Sequence, residues 1–117
     1  MRARKQPEPV QVPKSFEKVA AAFSKDRQVS LEKGWGAGNL VLKTKGKIFV
    51  MLHKGELVAK LPESRVDELV DDGVGHQFDP RGDGRLMKEW LVVAGRKPNW
   101  VGLAREAYRF VKGDQIK

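Results

Sequence analysis

The chain has 117 residues, 40% of them apolar and none of them cysteine, and its 23 basic and 15 acidic side chains leave a net charge of +8. A single domain of this size buries a real core without staples, and a chain without cysteine holds no disulfide, zinc–cysteine centre or catalytic thiol. No apolar run approaches the ~20 residues of a membrane span, and the basic opening MRARKQPEPVQVP lacks the apolar middle of a signal peptide, so the expectation is a cytoplasmic protein without membrane contact.

In chain order, residues 1–14 carry Arg2, Arg4, Lys5 and Lys14 among Pro7, Pro9 and Pro13, with little to bury. They read as a flexible basic arm, dispensable for folding, ahead of a domain over residues 15–117. The alternative is that Val10 to Val12 pairs with a sheet edge. Ser15 is placed to cap a helix running to about Lys25, with Phe16, Val19, Ala20 and Phe23 on its apolar side. Residues 26–38 read as loop apart from Val29 and Leu31.

The organising stretch is Asn39 to Leu61, which reads as three short strands. Thr44-Lys45-Gly46 makes the first turn and Lys54-Gly55 the second. Ile48 to Leu52 is apolar at every position, so this strand is expected to be central and covered on both faces. Pro62 opens a second helix with Val66, Leu69 and Val70 as its apolar stripe and Gly73 as its stop. Val74 to Phe78 reads as a short strand, and DPRGDG over residues 79–84 as a loop. Leu86 to Val93 reads as a strand with Leu86, Trp90 and Val92 on one side and Met87, Leu91 and Val93 on the other. Pro98 and Asn99 open a last helix that buries Trp100, Leu103, Ala104, Ala107 and Val111 and ends at Gly113. The order α-β-β-β-α-β-β-α is that of a single α+β domain with a mostly antiparallel sheet covered by helices. Trp90 and Trp100 are both expected in the core.

Three local patterns carry a resemblance. Gly34-Trp35-Gly36-Ala37-Gly38 leads into Leu40-Val41-Leu42. Gly46-Lys47-Ile48-Phe49-Val50 is followed by Gly55-Glu56-Leu57-Val58-Ala59-Lys60-Leu61. Met87-Lys88-Glu89-Trp90-Leu91-Val92-Val93 closes the set. In this order they resemble the TfoX N-terminal domain family and its YjbR-like relatives, across about residues 15–113. The resemblance implies a compact secretion-chaperone-like sheet-and-helix fold. It implies a regulatory or DNA-associated role, without a cofactor and without catalytic residues to carry over.

The residues themselves carry no enzyme constellation, and their basic side chains read either as a phosphate-binding patch or as an ordinary solvated surface. The glycines at 34, 36 and 38 precede a strand, and so do not form the phosphate-cradling loop that joins a strand to a helix; they read as conformational. His53 and His76 lack ligand spacing for a metal centre, and no serine sits in a nucleophile elbow, so no enzyme, metal or cofactor is expected. Arg81-Gly82-Asp83 reads as a turn. Arg105, Arg109 and Lys112 recur at i, i+4, i+7 opposite the apolar stripe of the last helix, and Arg96 and Lys97 stand at its entry. With Arg2, Arg4 and Lys5 they form the candidate nucleic-acid-binding set, suited to phosphates rather than to base edges. Glu106 is the acid expected to temper that ridge. The competing expectation is a protein-interaction module, a homodimer among the options, that uses a sheet face or edge.

Overall fold

The structure, a computed structural model, describes residues 12–34, 38–79, 82–95 and 99–113. Two turns set the centre of the sheet. Strand β2 (Leu40–Thr44), β3 (Lys47–His53) and β4 (Glu56–Lys60) are joined by two-residue connections, with Thr44 opposite Lys47 and His53 opposite Glu56. Lys45 and Gly46 have φ of 54° and 76°, and Lys54 and Gly55 have 52° and 82°. Positive φ at both central residues is the turn whose twist matches the right-handed twist of the paired strands, so glycine at the second position removes the steric cost there.

Flanking these are β1 (Val29–Lys33), β5 (Gly75–Phe78) and β6 (Met87–Val93). The six strands run in the order β1-β2-β3-β4-β6-β5, and every pairing is antiparallel. Gly75 is required where β5 meets β6, because a Cβ there would collide with the Val92 carbonyl. The helices are α1 (Glu17–Ala22), α2 (Glu63–Asp71) and α3 (Trp100–Lys112), and a short 3-10 turn, Lys14–Phe16, leads into α1. All three lie on one face of the sheet. Phe16, Val19, Phe23, Val66, Leu69, Trp100, Leu103, Ala104 and Ala107 share one core with Leu40, Leu42, Leu52, Leu57, Leu61, Leu91 and Val93.

The α+β class and the antiparallel sheet are as the sequence implies, with differences of detail. Residues 29–33 form an edge strand rather than loop. Ser15 falls inside the 3-10 turn, and no side chain caps α1. Pro62 occupies the N-cap of α2 in extended conformation, with Glu63 the first helical residue. A further difference concerns β3, where no helix covers the second face of the sheet among the described residues. The unbroken apolar run has another cause. The β2–β3 register steps from Leu42↔Val50 to Lys43↔Ile48, leaving Phe49 as an extra residue in a bulge. A bulge breaks the two-residue alternation, so Phe49 and Val50 both reach the helix-side core, fully buried.

The second face carries a smaller cluster, in which Val58, Phe78 and Val92 are buried and Met51 and Trp90 partly so. Trp90 is therefore not part of the main core, contrary to expectation. Its ring lies under the Lys60 ammonium, 5.3 Å from the ring centre, at the open surface. Leu86 and Met87, beside it in sequence, are 50% and 40% exposed. Of the expected arm, residues 1–11 lie outside the described residues, and Val12 packs against the main core.

Candidate nucleic-acid interface

The last helix is fixed at both ends by its own sequence. The Asn99 side chain accepts a hydrogen bond from the Gly102 N–H at 2.9 Å, satisfying one of the orphan donors of the first turn. At the other end Gly113 turns left-handed at φ 93°, and its N–H returns to the Arg109 and Phe110 carbonyls. Trp100 is 7% exposed and its indole N–H donates to the Gly95 carbonyl at 2.9 Å. This pins the start of the helix to the end of β6.

At 100° per residue, the buried Trp100, Leu103, Ala104 and Ala107 occupy one side of α3, and Arg105, Arg109 and Lys112 the opposite side. Arg105 and Arg109 are exposed and Lys112 is half-buried. The two lateral faces are used for packing. On one, Tyr108 meets Phe23 and Phe49, each pair of ring centres 5.3 Å apart. The Tyr108 hydroxyl donates to Asp26 at 2.7 Å. That bond holds the Asp26 carboxyl below its usual range, assisted by the Gln28 N–H, while burial, with help from Asp26, pushes the Tyr108 hydroxyl up.

On the other lateral face, Glu106 is held by Arg65 of α2. Arg65 Nε donates to Oε1 at 2.9 Å and Nη2 to Oε2 at 3.1 Å, and Nη1 reaches Glu68 at 3.0 Å. The paired carboxylates raise the Arg65 guanidinium further above its ordinary value, Glu106 foremost. Glu106 is the only acid in α3. Sequence reasoning places it as a counterweight to the basic ridge. The structure instead turns it toward α2, and neither Arg105 nor Arg109 pairs with a carboxylate among the described residues.

The structure adds a residue to the ridge. Lys45, in the β2–β3 turn, reaches across to donate its ammonium to the Lys112 carbonyl at 3.0 Å. A cation at a helix C-terminus is favoured by the unsatisfied carbonyls there. This contact spans 67 residues of sequence, and no local pattern announces it. Two of the ridge cations lean on aromatic rings, Lys112 5.1 Å above Tyr108 and Arg105 5.9 Å above Phe23. Arg105, Arg109, Lys112 and Lys45 thus occupy one side of the helix layer. The other members of the candidate set, Arg2, Arg4, Lys5, Arg96 and Lys97, lie outside the described residues.

Elsewhere the chemistry is sparse. His53 and His76 border a shallow cleft of about 190 Å³ with Lys54, Glu56 and Asp79. The His53 ring packs edge-on to Phe78 and its Nδ1 lies 3.4 Å from the Asn39 side-chain nitrogen. Asp79 accepts the Gly82 and Gly84 N–H groups with its two carboxylate oxygens. Among the described residues no three His, Asp or Glu side chains gather as metal ligands would. None of the described helices is long and apolar enough to cross a membrane. No family model, curated protein or solved structure matches this chain.

Proposed function

We propose that this domain is a non-enzymatic module of the TfoX N-terminal or YjbR-like kind that associates with nucleic acid through phosphate contacts from the outer side of α3. The observation that carries this reading is the clamping of Glu106 by Arg65, which leaves Arg105 and Arg109 without a carboxylate ion-pair partner among the described residues. The net charge of +8 adds a long-range attraction for polyanions. Each phosphate engaged releases condensed counterions, so affinity comes from salt-sensitive contacts that carry no base information. Asn99 is spent on capping the helix, and so is not available to read an adenine edge.

The test is fluorescence-anisotropy titration of wild type and the Arg105→Glu/Arg109→Glu double variant on two duplexes of unrelated sequence. Wild type is expected to bind both alike, and the double variant to lose affinity for both by the same factor. A variant that binds one duplex normally and not the other contradicts the proposal, as does a wild type that binds neither at low salt.

A further inference from the structure

The strand at one edge of the sheet lies beside an empty groove. Ala20, Ala21 and Phe23 of the first helical segment face Val29, Leu31 and Leu42 across a space of about 360 Å³. Val29 and Leu31 pack against the main core yet stay half-buried, because no further strand lies beyond them among the described residues. The backbone there is poised for one. Gly34 donates to the Asn39 carbonyl at 2.8 Å, in continuous register with Glu32↔Val41 and Ser30↔Lys43. In an antiparallel pair, hydrogen-bonded and non-bonded positions alternate. Ser30 and Glu32 therefore turn their backbone groups toward β2, and Leu31 and Lys33 present theirs outward.

We propose that this edge receives an extended peptide as a seventh strand, hydrogen-bonded to Leu31 and Lys33, with alternate apolar side chains in the α1–β1 groove and acidic residues at its ends. A strand added at a free edge takes its affinity from the main chain and its selectivity from pockets for every second side chain. Charge identifies the occupant. Lys25 and Arg27 stand at one end of β1 and Lys33 at the other, and none of the three pairs with a carboxylate among the described residues. The nearby acids are engaged, Asp26 by Tyr108 and the Gln28 N–H, and Glu32 by Lys43 at 3.1 Å and by Ser30. An acidic-ended peptide complements this surround. A second copy of a chain carrying +8 meets repulsion, and so does this chain's own arm, with Arg2, Arg4 and Lys5. The inference is independent of the phosphate-binding reading, which uses the outer side of α3.

The test selects random nonapeptides displayed on phage against the full chain, then maps the best peptide by amide hydrogen exchange. Enriched sequences are expected to alternate apolar residues and to end in Asp or Glu. The Leu31 and Lys33 amides should gain protection of about tenfold or more on binding. Ala21 is exposed on α1, so Ala21→Phe fills the groove without touching the core. It should weaken binding about tenfold while the thermal melt holds, as should Lys25→Glu/Lys33→Glu, and Arg109→Glu should change it less than about twofold. No enrichment, enrichment without alternation, protection confined to other elements, or indifference to Ala21→Phe overturns the proposal. Protection of Leu31 and Lys33 before any peptide is added also overturns it, assigning the edge to a second copy if the protein is dimeric and to its own arm if monomeric.

Discussion

The hydroxyl of Thr44 is buried at the end of β2 with no hydrogen-bond partner among the described residues. A buried unpaired hydroxyl costs about 1–3 kcal/mol, and replacing it by an apolar group of the same shape recovers part of that. Thr44→Val is therefore expected to stabilise the domain by about 1 kcal/mol, read as a raised midpoint in urea at unchanged slope. A lower midpoint would mean that the hydroxyl is paired. At the exposed end of the aromatic cluster, Asp26 accepts the Tyr108 O–H, and its carboxyl sits below the ordinary 3.8. A carboxyl with a depressed folded-state value stabilises the fold above its unfolded value, and that contribution is lost as pH falls through the folded one. Tyr108→Phe is expected to flatten this part of the acid limb of stability while leaving Asp26 ionised at neutral pH. Carboxyl chemical shifts followed by NMR check it: the Asp26 midpoint should rise toward 3.8 in the variant.

At the scale of elements, the two tryptophans of the C-terminal half separate two kinds of burial. Trp100 heads the buried side of α3, and Trp90 lies on the face of the sheet that no described helix covers. Trp100→Ala is expected to cost about 3–5 kcal/mol, and Trp90→Ala about half of that or less. Denaturant melts of the two variants decide it, and equal losses would mean that the second face is as well covered as the first. Most of the elements were legible in the sequence. Lys45-Gly46 and Lys54-Gly55 carry their turn chemistry in two residues, Gly73 and Gly113 end helices where the apolar stripes stop, and Asn99 caps where a polar residue precedes Trp100. What was not legible is non-local. Val29 to Lys33 alternates as a strand should, but only its pairing with β2 separates it from loop. The bulge at Phe49 depends on register, which an all-apolar run leaves unspecified. The ridge on α3 is visible in the spacing of Arg105, Arg109 and Lys112, whereas Lys45 joins it from a distant turn and Glu106 leaves it for a partner on another helix.

On the scale of the whole molecule, the sheet divides the protein into two differently equipped sides. The helix layer contains the main core and turns the α3 cations outward, and the opposite side offers Trp90 and Met51 packed on a small cluster. A surface that attracts phosphates by charge alone should follow counterion release. With about four to six phosphates engaged, the slope of log affinity against log salt is expected near −4 to −5. Each lost phosphate contact lowers its magnitude by about one. The most direct measurement is this slope for wild type and Arg105→Glu/Arg109→Glu on the same duplex between low and physiological salt. A steep wild-type slope that falls by about two in the double variant is expected. A slope near zero, or one that the double substitution leaves unchanged, would contradict it.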